Sequence, residues 1–277
     1  MNRLFVVNKP IFISSNNYMY RIKRKYNTKK VGFSGTLDPF ATGCLIVATG
    51  VYTKLFQFLD KTPKSYRATM WLGASSESLD IENVTSITKC PTLSLDEIHK
   101  TLNSLIGSLT YLPPKYSAKK IAGKKAYDLA REGKDVKLKE ITSEIHKIKL
   151  INYNHPFITF EIEVSEGSYI RSIAQEMASR LNVDATLSAL HRINEGKFKY
   201  EEQKALDPFK HLKIPTNKFL AEQEVLELGK KIDASYFENQ TDGTYLIETK
   251  SFYSIIEINK NEVKYRLNRI PKPILED

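Results

Sequence analysis

The stretch GFSGTLDPFATG, residues 32–43, runs directly into CLIVATG, residues 44–50, and together they restrict the fold more than any other part of the chain. Glycine tolerates positive φ and lets another backbone or a ligand approach closely. Gly32, Gly35 and Gly43 around Asp38-Pro39 therefore describe a tight loop. Pro39 fixes its own φ and holds Asp38 in extended geometry, leaving that carboxylate little backbone freedom. The apolar run that follows is bounded by Gly43 and Gly50 and reads as a short buried strand. Taken alone, an Asp in such a turn is an ordinary Asx turn; its surroundings decide whether it does chemistry.

Charge points to a polyanionic partner. The 277 residues carry a formal net charge of +10, and the excess is uneven. Residues 1–213 hold 33 Lys+Arg against 21 Asp+Glu, whereas residues 214–277 hold 9 against 11. Two stretches concentrate the excess. Residues 21–30, RIKRKYNTKK, have six basic residues and no acidic one, and residues 115–139 have nine basic and three acidic. Each is interleaved with tyrosine (Tyr26, Tyr116, Tyr127), a composition suited to nucleic acid. Any single lysine-rich cluster is also what a solvated surface looks like. No apolar run reaches the roughly 18 residues of a membrane span, and MNRLFVVNKP lacks the long apolar core of a secretory signal. Two distant cysteines, Cys44 and Cys90, fit a reducing compartment, the cytoplasm, and no disulfide framework. The five histidines show no HExxH-type spacing, so no metal site is expected.

Patterning predicts a strand over 3–8, a helix capped near Ser14–Asn16 and running to Tyr26, and a helical segment over 52–59. It predicts a strand over 65–73 and a helix over 94–107 opened by Ser94. A short helix is expected near 123–132. ITFEIEVSEG (158–167) alternates as a half-buried strand should, and 169–181 is an amphipathic helix. Beyond about residue 213 the texture changes to short β-like runs at 244–249, 252–258 and 263–270.

The segment 32–54, GFSGTLDPFATGCLIVATGVYTK, resembles the signature of the TruB family of tRNA pseudouridine synthases, roughly GxxGxLDPxAxGxLxxxxGxxTK. Gly32, Gly35, Leu37, Asp38, Pro39, Ala41, Gly43, Leu45, Gly50, Thr53 and Lys54 fill every fixed position. Five further segments agree in order: NKPIFISSN (8–16), KSYRATMWLG (64–73), LPPKYSAKKIAGKKAYDLAREG (112–133), EGSYIRSIAQEMASRL (166–181) and ATLSALHRINEGKF (185–198). The resemblance spans roughly residues 3 to 210.

What the resemblance implies is an α+β fold, with a mixed, mostly antiparallel central sheet and flanking helices (the pseudouridine synthase fold), plus a small C-terminal β-barrel, PUA-like domain. It implies a catalytic domain over residues 1–213 with a thumb-like RNA-binding insertion at about 114–140, and a small PUA-like RNA-binding domain over 214–277. The activity implied is isomerisation of uridine 55 to pseudouridine in the TΨC loop of tRNA, by base flipping, cleavage of the glycosidic bond and reattachment through C5. No metal or organic cofactor is implied. Asp38 aligns with the catalytic aspartate, Tyr66 with the tyrosine that stacks on the target base, and Arg171 with the arginine that pairs with the aspartate. Phe33, Lys9, Lys54, Tyr169, Asp80, Lys119, Lys120 and Lys124 are the expected substrate-binding set. The implied partner is the T-arm stem-loop of tRNA, bound by a monomer.

The departures are specific. Phe33 stands where the family usually has His, which keeps an aromatic wedge and loses a hydrogen bond. Phe12 replaces a usual glycine, Glu77 and Ser78 replace Asp and Thr, and His191 takes a usually basic position. Two other readings compete. A guide-RNA-dependent synthase of the dyskerin lineage would lack the insertion and carry a fuller PUA domain. A tRNA-folding chaperone would have no need of Asp38, Tyr66 and Arg171 together.

Overall fold

The computed structural model describes residues 1–117, 120–121, 124–125 and 138–274, the side chains of residues 120–121 and 124–125 excepted. Its strands are β1 (Arg3–Lys9), β2 (Val31–Ser34), β3 (Thr42–Thr49), β4 (Lys64–Leu72), β5 (Ala74–Ser76), β6 (Val84–Ile87), β7 (Gly107–Tyr111), β8 (Lys120–Ile121), β9 (Lys124–Lys125), β10 (Ile141–Asn154), β11 (Phe157–Val164), β12 (Ala185–Glu195), β13 (Phe198–Lys199), β14 (Thr216–Asn217), β15 (Gly243–Glu248), β16 (Phe252–Asn259) and β17 (Glu262–Pro271). The α-helices are α1 (Ser15–Lys25), α2 (Leu95–Ser104), α3 (Ile170–Arg180) and the short α4 (Gln223–Glu227).

Nine strands form the main sheet. Its path is β1-β3-β12-β4-β11-β10-β7, with β2 on β3 and β13 on β12. Every pairing is antiparallel except β3 with β12, which run parallel over two register pairs, His191↔Thr42 and Arg192↔Gly43. The sheet is thus mixed and mostly antiparallel, as expected.

Side-chain alternation explains the layers. Phe5 and Val7 of β1, with Leu45 and Val47 of β3, face a core that also holds Met19 and Ile22 of α1, Ile98 and Leu102 of α2, and Ile173 and Met177 of α3. On the opposite face, Leu4 and Val6, with Cys44, Ile46 and Ala48, join a second core with Leu246, Ile255 and Ile270 of the C-terminal strands. Both faces of β3 are covered, which is why CLIVATG is apolar without interruption. Farther along, β11 buries Ile158, Phe160, Ile162 and Val164 and turns Phe157, Thr159, Glu161 and Glu163 outward, the alternation of a sheet packed on one face.

The helices end where their chemistry says they should. Ser14 caps α1 by accepting from Asn17 N–H, and Ser94 with Glu97 makes a reciprocal capping box on α2. One element differs. Residues 50–55 form a 3₁₀ turn instead of the helix predicted over 52–59. Gly50 starts it at φ +60, and the turn folds Tyr52 and Leu55 into the second core. The helix predicted near 123–132 lies outside the described residues. The β-like runs of the C-terminal part are three strands of a separate four-stranded sheet, β14-β15-β16-β17, whose path is open among the described residues rather than closed into a barrel. No helix among the described residues is long and apolar enough to cross a membrane.

Candidate active site

The turn predicted around Asp38 joins β2 to β3 at the parallel seam of the sheet. Leu37 and Phe40 are buried on either side of Asp38-Pro39 and anchor it from below. The N-terminal segment clamps it from above. Ser15 Oγ donates to the Leu37 carbonyl and accepts from the Leu37 N–H, both at 3.0 Å. Phe12 N–H donates to the Pro39 carbonyl at 2.8 Å. Lys9 Nζ donates to the carbonyls of Pro10, Ile13 and Pro39 at 2.9, 2.7 and 3.2 Å. Lys9 is fully buried, and burial lowers its pKa to about 8 against the pull of Asp38.

Glycine is needed twice here. Gly35, at φ +69, leaves no room for a Cβ between Glu195, Lys64 and Arg192. At Gly43, φ is +105 and a Cβ would stand 2.3 Å from the Arg192 carbonyl. These glycines let the turn and β3 lie against β12.

Asp38 does not fold back on its own backbone as an Asx turn would have it; its side chain meets Arg171. Arg171 lies in the first turn of α3 and is 4% exposed. Its Nε is 2.9 Å from Asp38 Oδ2, and its Nη1 is 3.2 Å from Asp80 Oδ2. Nη1 also donates to the Ser78 carbonyl at 2.6 Å, and Nη2 to the Tyr116 carbonyl at 2.8 Å. A planar five-donor fork suits this spread of acceptors, and a lysine ammonium does not. Asp80 is in turn held by Ser78 Oγ at 2.6 Å and Glu82 N–H at 3.0 Å.

One guanidinium therefore sits between two carboxylates, of which Asp80 is buried and Asp38 keeps 33% of its side chain open. Enclosure pushes the Asp38 pKa above the usual carboxylate range; Arg171 opposes this, and the charge of Asp80 adds to it. Asp38 opens on a cleft of about 350 Å³ whose lining includes Tyr66, Tyr169, Leu190, Lys64, Glu166 and Arg192. Tyr66, on β4, is buried among core residues and stands opposite Arg192 in the β4–β12 register. Tyr169 caps α3, its N–H donating to Tyr111 Oη at 2.9 Å.

The structure brings Asp38, Arg171, Tyr66, Tyr169 and Asp80 into one place. Lys9 underlies the turn and is sealed from the cleft by its three carbonyls. Phe33, on β2, is half-buried against the helix-side core, and Lys54 is exposed on the 3₁₀ turn; neither lines the cleft. Lys119 lies outside the described residues. Lys120 and Lys124 lie on β8 and β9, where Lys120 pairs with Lys125 and Ile121 with Lys124.

A buried ion triad went unread in the sequence. Glu195, fully buried, lies 2.8 Å from Lys64 and 2.9 Å from Arg192. Arg192 also donates to the carbonyls of Cys44 at 2.7 Å and Gly35 at 2.9 Å. Lys64 and Tyr66 are two apart on one strand and so share a face, a spacing that placed Lys64 beside the predicted tyrosine.

Comparison with known proteins places the chain in a family. The model of the TruB family pseudouridylate synthase N-terminal domain matches residues 23–170. The chain is 66% identical to the tRNA pseudouridine synthase B of a Sulfurovum species over 98% of both chains. It is 50% identical to that of a Nitratiruptor species over 98% of this chain and 99% of the relative. Among solved structures, a chain in the crystal structure of a Cbf5–Nop10–Gar1 complex is similar in fold, with a TM-score of 0.68 at 19% identity, covering 97% of this chain and 85% of that one. With its signature turn, its cleft and relatives matched from end to end, the chain belongs to the TruB family of pseudouridylate synthases.

Proposed function

We propose that this protein isomerises uridine 55 of tRNA to pseudouridine, acting on the T-arm stem-loop as a cytoplasmic monomer. The observation that carries the reading is Asp38 held by Arg171 at the open end of a nucleoside-sized cleft. Breaking an N-glycosidic bond builds positive charge at C1′, and a carboxylate on that face can stabilise it, attack it or remove a proton from C2′. Arg171 keeps Asp38 ionised in an enclosed site and fixes its orientation. Tyr66 presents an aromatic ring to the uracil, a contact worth about 1–3 kcal/mol for a stacked base. Tyr169 and Asp80 position the ring and the guanidinium.

The target base must leave its stack first, at a cost of a few kcal/mol. Phosphate contacts from a basic surface offset that cost, and the lysine-rich stretch from 115 to 139, with Lys119, Lys120 and Lys124, is assigned this role. Its base is tied to the chemistry, because the Tyr116 carbonyl accepts from Arg171. We place a domain boundary near residue 213, with the C-terminal sheet as a PUA-like extension of the RNA surface. Its 9 basic and 11 acidic residues from 214 to 277 give it a modest share of the binding. The resemblance supplies wedge and support roles for Phe33, Lys54 and Lys9.

The test compares wild type with Asp38→Asn on an unmodified T-arm stem-loop, mapping pseudouridine by carbodiimide-dependent reverse-transcription stops and measuring binding in parallel. Wild type should modify the loop uridine. Asp38→Asn should bind and lose at least about 10³-fold in turnover. Pseudouridine formed by the variant at the wild-type rate would remove Asp38 from the mechanism.

A further inference from the structure

The six-cation stretch at residues 21–30 is not used by the cleft or by the insertion, and the structure places two of its cations, Arg21 and Arg24, on the outer face of α1. Met19 and Ile22 are buried against the core. The opposite face carries Asn17, Tyr20, Arg21 and Arg24, all exposed and grouped by the helical period. Lys23 Nζ lies 5.5 Å from the centre of the Tyr20 ring. No acidic residue occurs between Pro10 and Val31. Directly ahead of this helix is Phe12, with φ at +58, a conformation that glycine adopts without strain and a bulky aromatic does not. Its side chain is 68% exposed, so core burial does not explain an aromatic there. The loop beneath it is rigid. The Phe12 N–H is bonded to the Pro39 carbonyl, and Lys9 fixes the carbonyls of Pro10 and Ile13. The backbone that carries this exposed ring is thereby tied to Pro39, the residue that follows Asp38.

We propose that the loop at residues 10–14 and the outer face of α1 form a second RNA-contact surface on the Asp38 side of the cleft. Phe12 stacks on an unpaired base beside the target uridine, and Arg21 and Arg24 neutralise backbone phosphates. The surface rests on the reading of the cleft as a site for tRNA. Its chemistry is that of single-stranded RNA recognition: an aromatic platform flanked by cations, tolerant of base identity. A pre-set platform also costs little ordering on binding.

The experiment measures binding of the full chain to an unmodified T-arm stem-loop across a salt series, with thermal unfolding and pseudouridine formation recorded alongside. Phe12→Gly should unfold at or above the wild-type temperature, because the left-handed strain is relieved, yet bind about 5- to 100-fold more weakly. Phe12→Trp should bind like wild type. Arg21→Gln with Arg24→Gln should lower the slope of log K against log salt by about one unit for each arginine. Phe12→Gly binding as tightly as a wild type that modifies the RNA would overturn this surface alone. So would an unchanged salt slope, or a Phe12→Trp that binds as weakly as Phe12→Gly. A wild type that neither binds nor modifies the stem-loop would overturn the functional reading and the surface with it.

Discussion

At the scale of single residues, the site is a contest between two carboxylates for one guanidinium. The proposed chemistry uses Asp38 ionised; its pKa is raised by enclosure and by Asp80 and lowered by Arg171. The acid limb of kcat/KM for T-arm RNA should therefore lie above the ordinary carboxylate range, with activity falling as the pH drops through it. Asp80→Asn removes a negative charge from the same environment. The acid limb should then move to lower pH, while the plateau rate drops because the carboxylate facing Arg171 Nη1 is gone. A pH–rate profile of both proteins checks this; an acid limb that stays put or moves up in the variant would show that Asp80 does not act electrostatically on Asp38.

At the scale of elements, the turn and β3 depend on how closely β12 can approach. Gly43→Ala would drive a methyl to 2.3 Å from the Arg192 carbonyl at φ +105, which should cost about 3 kcal/mol or more. Chemical denaturation reads this directly, and a loss under about 1 kcal/mol would mean the parallel seam is slack. The same seam explains what was legible in the sequence. CLIVATG announced β3, and Ser94 announced α2, because each obeys a local rule. Neither β12 nor β10 announced itself. β12 carries Arg192 and Glu195 inside the protein, and its register slips between Leu187 and Ala189 and between Arg192 and Asn194. A strand whose polar residues are buried and whose alternation is bulged has no two-residue hydrophobic period to read. β10 slips twice as well, and most of its residues are exposed. The Asp38–Arg171 pair was accessible only through the family signature, since 133 positions of sequence separate two residues that the fold places 2.9 Å apart.

At the scale of the whole molecule, the second core joins the main sheet to the C-terminal sheet. Ile255 is fully buried there beside Leu4, Ile46 and Leu246. Phe209 stacks on Tyr253 at 3.7 Å, and Tyr52 Oη donates to the Pro271 carbonyl at 2.9 Å. Ile255→Ala should cost about 2–5 kcal/mol, and the loss should appear as a shift of one common unfolding transition followed by fluorescence and by circular dichroism. A shift confined to a separate C-terminal transition would show that the shared core does not couple the two sheets.

The strand order has a consequence for how the enzyme comes into being. β1, β2 and β3 make one group; β4, β11, β10 and β7 make another; β12 lies between them and is the strand that joins them. Asp38 lies in the turn between two strands of the first group, Tyr66 is on β4 of the second, and Arg171 is on α3, which packs against β12. During synthesis both groups emerge before β12 does, each with an edge waiting for it. The sheet is therefore expected to close, and Asp38, Tyr66 and Arg171 to come together, only once residues 185–195 have been made. Pulse-labelled hydrogen exchange during refolding should find the amides of β12 protected together with recovery of T-arm binding, and after those of the β10–β11 hairpin.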